Sequence, residues 1–314
     1  MWRKICSSFA IPDNQPPRTA QGYETYDGDQ SRLARQFNLA FQGAHVLQDS
    51  RAYRRHFQNA DMTVNPFSTT EALRGSRYYG LKNGRPVCMD DSEVAADLFT
   101  SAAIGAFHGF IVDPQFPCVG AKSAIAHESV RFGVYDRLGS TDSTAGLAHD
   151  LFTFTRDPAV IAQADFVTFA AIFREPAELN EEEFERLLWD ELGNLTRLDA
   201  PLHDWDPSVS QDPDDPHFAF SFSGLAFFVV GLHPRSSRLA RQFPWPTLVF
   251  NPHAQFVRLR ESQKMERLQE VIRERERDLQ GSLNPNLGEH GEISEARQYS
   301  GRPVEPDWHP PAQS

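Results

Sequence analysis

Hydrophobic positions change period along this chain, and the changes mark its elements. Val94, Ala95, Leu98, Phe99 and Ala102 recur at helical spacing behind Asp91-Ser92, which predicts a helix capped near residue 92. Pro114 to Lys122 reads as a proline-bounded turn leading into a short helix. Val130, Phe132 and Val134 alternate with Arg131, Gly133 and Tyr135, the two-residue period of a strand. Phe166 to Phe173 is almost continuously apolar and predicts a strand buried on both faces. Asn180-Glu181-Glu182-Glu183 opens a helix in the manner of a capping box, with acid where the helix dipole favours it. Phe184, Leu187, Leu188, Leu192 and Leu195 then share one face of that helix.

Further on, Phe218, Phe220 and Phe222 alternate with Ala219 and Ser221. Ser223-Gly224 can turn this strand back into Leu225–Leu232, giving an antiparallel hairpin. Ser236-Ser237 predicts a cap for a short helix over 238–243, and Thr247–Phe250 is another apolar strand. Glu261 to Gln280 reads as a single helix with Met265, Leu268, Val271, Ile272 and Leu279 inward, closed by Gly281. Helices and antiparallel strands mix without a repeating strand–helix–strand rhythm. The fold expected is α+β, one main domain with a mixed, largely antiparallel sheet flanked by helices. Residues 12–30 are rich in Pro, Gln, Asp, Gly and Thr, and 31–80 are weakly amphipathic. This predicts a poorly ordered extension over 1–85 and a domain over 86–310, compact from about Asp90. The prolines between Pro303 and Pro311 predict an extended surface tail.

Composition narrows the function. A net charge of −12 argues against nucleic-acid binding and is compatible with a cationic substrate. Cys6, Cys88 and Cys118 are odd in number and far apart, and no CxxC, HExxH or HxxxH spacing occurs. Neither a zinc site nor a disulfide framework is signalled, and a reducing cytoplasm is the expected setting. Ile5–Ile11 is too short and polar for a secretory core, and no apolar run is long enough to span a bilayer.

Two apolar strands run into a histidine beside a proline, at Leu232-His233-Pro234 and Asn251-Pro252-His253. Proline ends a ladder because it has no N–H to donate, so each imidazole is expected at a fixed strand end, able to face a cavity. Neutral imidazole is a common ligand for iron and zinc. The plain alternative is a histidine that caps local backbone.

Four strings together resemble the YqcI/YcgG family. They are Phe116-Pro117-Cys118-Val119-Gly120-Ala121-Lys122, His233-Pro234-Arg235-Ser236-Ser237, Phe250-Asn251-Pro252-His253-Ala254-Gln255-Phe256 and Gln298-Tyr299-Ser300-Gly301-Arg302, within about 90–308. Members with an assigned activity resemble haem-dependent N-oxygenases that hydroxylate a guanidine nitrogen of arginine or related metabolites. The resemblance implies haem b, dioxygen as co-substrate and a small cationic metabolite as substrate. No GxGxxG loop follows a strand, so the electron donor is expected to be external. A homodimer is compatible with the chain.

Haem needs an axial ligand, an apolar slot and cations for its propionates. Under the resemblance, His233 is the first choice of ligand, with Arg235, Arg238 and Arg241 following it as propionate contacts. Cys118 is the alternative ligand, since a helix N-terminus would lower its pKa; a small buried hydrophobe is its plain reading. His253, and more weakly His108, could line the distal pocket. Lys122 and Arg302 are candidates for propionate or substrate carboxylate, against the alternative of solvated surface charge. Tyr299 and Ser300 could donate hydrogen bonds to bound oxygen. A guanidinium substrate needs a pocket carboxylate, for which Glu292 and Glu295 are the candidates.

Overall fold

The computed structural model describes residues 64–162, 164, 166–287 and 292–311. These form eight helices, which are α1 (Thr70–Gly75), α2 (Leu98–Val112), α3 (Val119–Ala126), α4 (Thr141–Thr155), α5 (Pro158–Ile161), α6 (Glu181–Asp199), α7 (His253–Glu261) and α8 (Met265–Gln280). Seven strands form one sheet. They are β1 (Tyr78–Lys82), β2 (Arg85–Cys88), β3 (Val130–Arg137), β4 (Thr168–Glu175), β5 (Phe220–Phe222), β6 (Leu225–Leu232) and β7 (Thr247–Pro252), in the order β2-β1-β3-β4-β7-β6-β5. Only β3 and β4 run parallel; every other pair is antiparallel. The expected mixed, largely antiparallel sheet is therefore present.

Each face of the sheet carries its own core. Phe154, Phe169, Phe173, Phe184, Leu188, Phe227, Val229 and Phe250 pack between the sheet and helices α4 and α6. Ile104, Phe107, Ala124, Phe132, Ile172, Leu232 and Phe243 pack on the opposite face, with α2 and α3. Side chains alternate along a strand. Val229 of β6, and His233 just after it, thus face the α6 side, while Leu232 faces the other core.

The capping box at α6 is complete: the Asn180 side chain accepts from Glu183 N–H, and the Glu183 carboxylate accepts from Asn180 N–H. The β5–β6 hairpin turns on Ser223 and Gly224, both at positive φ (53° and 72°), which Gly tolerates without strain.

Several boundaries differ from the sequence reading. Structure starts before Asp90, because the β1–β2 hairpin turns on Asn83-Gly84 and pairs with β3. The part of the expected extension before residue 64 lies outside the described residues. Helix α2 begins at Leu98, not near 92, because the Asp97 side chain accepts from Thr100 N–H. Leu98 is 92% exposed, and the buried face runs through Ala103, Ile104, Phe107 and Ile111 instead. The helix expected over 261–280 starts at Met265 as α8, after Gln263 takes φ 56°, and the separate helix α7 before it is not expected from the sequence. The helix expected over 238–243 is only a 3-10 turn, Leu239–Arg241. Trp308 is not a surface tail residue, since its ring packs on Trp189. Among the described residues, no helix is long and apolar enough to cross a membrane.

Candidate functional site

The first two turns of α6 organise the region around His233. Helical spacing puts Glu181, Phe184, Glu185 and Leu188 on neighbouring positions of one side. Glu181 Oε1 accepts from Ser237 N–H at 2.8 Å and pins the turn after β6. Glu185 is buried and holds the C-terminal segment: Ser300 Oγ donates to Oε1 at 2.8 Å and Arg302 Nε to Oε2 at 2.9 Å. That segment runs alongside β6, where Gly231 N–H donates to the Tyr299 carbonyl at 2.7 Å. Arg241 bridges the two, donating to the carbonyls of Gly231 (3.2 Å) and Tyr299 (3.0 Å). Its burial lowers its pKa to about 10.

His233 sits inside this frame. Its side chain is fully buried, and its ring stacks on Phe184 with centroids 4.5 Å apart and planes inclined by 22°. Neither Nδ1 nor Nε2 has a hydrogen-bond partner. Burial drives the pKa down to about 4, with Glu181 opposing that shift and Arg241 adding to it. The imidazole is therefore neutral at pH 7 and uncommitted at both nitrogens. The sequence reading places this ring at an open slot. Instead, Phe184 closes one face, and a Cβ added at neighbouring Gly231 would collide with Phe184 and Leu188.

Cys118 lies across the sheet from His233, as N-cap of α3, near Phe116 and Phe166. Its Sγ accepts from Ala121 N–H at 3.4 Å. Burial nevertheless raises its pKa, outweighing that hydrogen bond, which corrects the expected thiolate-favouring shift. Lys122 Nζ donates to the carbonyls of Asp113 (2.7 Å) and Pro114 (3.2 Å), so it staples the preceding turn. Arg235 pairs with Glu178 on the surface at 3.0 Å. Arg238 is buried against Glu276 and the carbonyls of Ser282 and Leu283. All five cations named for propionates, counting Arg241 and Arg302, are thus engaged with protein groups.

A second network is organised by Glu295. Tyr299 Oη donates to Glu295 Oε1 at 2.8 Å and accepts from Phe220 N–H at 3.0 Å, while His253 Nε2 lies 3.5 Å from Glu295 Oε2. The structure therefore joins Tyr299, His253 and Glu295, and separately Ser300, Arg302 and Glu185. Glu292 is exposed, and His108 lies half-buried on α2. Sequence reasoning missed Glu185. Its signal was its position one residue after Phe184, on the side of α6 that turns inward.

The family profile of YqcI/YcgG matches residues 107–313, a span that contains all four strings. The chain belongs to the YqcI/YcgG family. It is 27% identical over 195 residues to the protein named "Uncharacterized protein YqcI" of Bacillus subtilis (strain 168), covering 59% of this chain and 75% of that one. No solved structure matches. The family span includes β3 to β7, the His233 turn and the C-terminal segment, so the frame around His233 is a family region.

Haem can be tested against these residues. His233 fits an axial ligand in chemistry: neutral, buried among apolar rings and unpaired at both nitrogens. Among the described residues no three His, Cys, Asp or Glu side chains converge as a metal-binding group. A ligand set of several side chains is thus not assembled there, whereas haem iron takes one protein ligand on a side.

Proposed function

We propose that this chain is a haem-dependent oxygenase that hydroxylates a guanidine or amine nitrogen of arginine or a related small cationic metabolite, with haem b held by His233. The observation that supports this reading is the buried, neutral imidazole with no partner at either nitrogen. A buried polar group left unpaired costs about 1–3 kcal/mol, which ligation of a metal would offset.

Each residue has a stated part. His233 supplies the iron ligand. Phe184 and Leu188 keep water from it and fix the plane of the ring. Glu181, Arg241 and the Glu185–Ser300–Arg302 cluster hold the turn and the C-terminal segment around it. Bound haem would supply dioxygen activation, with electrons from an external donor. Three cysteines, odd in number and far apart in sequence, support a cytoplasmic setting.

A second reading is a haem- or ligand-binding protein without turnover. Lys122 and Arg302, the cations expected to hold a substrate carboxylate, bond the Asp113 and Pro114 carbonyls and Glu185 instead, which favours it. The deciding experiment supplies haem-loaded full-length protein with dioxygen, a reductant and arginine or other guanidines. A dioxygen-dependent N-hydroxylated product that His233→Ala abolishes supports the oxygenase. Haem uptake with no product from any guanidine supports the second reading.

A further inference from the structure

A cavity of about 460 Å³ opens where the carboxyl ends of β3 and β4 meet the first turns of α2 and α4. None of the candidate site residues named from the sequence lines it. In open sheets, ligands settle outside the carboxyl ends of parallel strands, and β3–β4 is the parallel pair of this sheet.

The walls carry chemistry suited to an anion. Arg74 of α1, Arg77 of the link to β1 and Arg174 of β4 line the cavity. The Arg77 guanidinium donates to the carbonyls of Arg74 and Ser76, so its side-chain hydrogen bonds meet no carboxylate. Arg174 lies over the Phe99 ring at 4.3 Å, which fixes its plane, and is 3.8 Å from Asp136. Arg74 reaches Glu71 only at 3.7 Å, across a solvent-exposed pair. Such long exposed pairs are worth little and leave the guanidinium available. Thr141 and Asp142, the first two helical residues of α4, have backbone N–H groups with no intrahelical acceptor.

The cavity also holds three aspartates. Asp97 is spent on Thr100 N–H, a hydrogen bond that lowers its pKa. Asp136 is 92% exposed and turned to solvent. Asp142 belongs to the first turn of α4, where it complements the dipole.

The placement is built into the backbone. Gly75 packs so closely on α4 that a Cβ there would collide with the Asp142 carbonyl, and Gly146 packs back on Gly75. This contact holds Arg74 and Arg77 beside the start of α4. Only glycine permits such an approach.

We infer that this cavity binds a small organic oxyanion, a phosphate- or carboxylate-bearing metabolite, its charged group between Arg77, Arg174 and the start of α4. The inference does not rest on the haem reading. The volume suits a ligand larger than a simple inorganic ion.

Titration calorimetry of the full-length protein at fixed ionic strength tests this, with pyrophosphate and succinate as separate probes. Saturable binding of at least one is expected, weakened at least tenfold by Arg77→Gln and by Arg174→Gln. Arg267→Gln, an exposed change on α8, should leave it unaltered, and circular dichroism should show all three variants folded. Pyrophosphate binding alone assigns a phosphate ligand, and succinate binding alone a carboxylate. Saturable binding of neither probe, or equal weakening by all three variants, overturns the inference.

Discussion

Glu185 grips Arg302 from a buried position, with Arg302 Nε 2.9 Å and Nη2 2.8 Å from the same carboxylate oxygen. The Glu185 side chain is 4% exposed and that of Arg302 17%. The two are 117 residues apart, so this pair ties the C-terminal segment to the helix that backs His233. Removing one partner leaves a buried charge. Glu185→Gln should therefore destabilise by about 3 kcal/mol. Thermal or urea unfolding of Glu185→Gln, Arg302→Gln and the double variant measures the coupling. Additive losses would show that the pair acts as two separate charges.

Tyr299 links β5 to the C-terminal segment through a buried hydroxyl, and burial raises its pKa well above the usual value. Tyr299→Phe removes an acceptor for Phe220 N–H and a donor to Glu295. A loss of about 1–3 kcal/mol is expected, because a buried N–H is left unpaired. A neutral result in urea denaturation would assign the ring, packed on Trp189 at 5.7 Å, the whole contribution.

Glu191 gives a signed pH dependence. It is fully buried, and burial raises its pKa to about 7, against hydrogen bonds from Thr144 and Gly139 that favour the charged form. The folded state then holds a proton that the unfolded chain releases above about 4.5. Stability from this group is present below that pH and is lost as pH rises through about 7. Glu191→Gln should flatten this fall and stabilise the protein at pH 8 by about 2 kcal/mol. An unchanged slope of melting temperature against pH between 5 and 8 would refute the assignment.

His233 works in the opposite direction. Its pKa falls to about 4 on folding from an ordinary value of 6.5, so unfolding takes up a proton between these values. The associated stability is full above about 6.5 and is lost as pH falls toward 4. His233→Phe should remove this acid sensitivity, read from unfolding curves at pH 4.5 and 6.5. Identical acid sensitivity in the variant would place the titration elsewhere.

Much of the fold is legible from residues because its signals are local. The box at Asn180–Glu183, the Ser223-Gly224 turn and the Gly281 C-cap, at φ 77°, all lie within a few residues of what they fix. Helix α4 escaped because its buried side includes Ser143 and Thr144, whose hydroxyls bond Arg137 N–H and Glu191. Hydrophobic period does not see buried polar groups whose partners are distant in sequence. The same limit hides the site. His233 is conspicuous as a strand end, but Phe184 reaches it, and Glu185 and Arg302 reach each other, only through tertiary contact. The arginine-lined cavity is assembled from α1, α2, α4 and two strand ends, which no single motif announces.

The central claim is that His233 is the residue that holds haem. The most direct measurement is the visible absorption spectrum of protein from haem-supplied cells, for wild type, His233→Ala and Cys118→Ala. A Soret band in wild type that is lost or strongly shifted in His233→Ala, and unchanged in Cys118→Ala, is predicted. A colourless wild-type protein, or a band that depends on Cys118 and ignores His233, would contradict it.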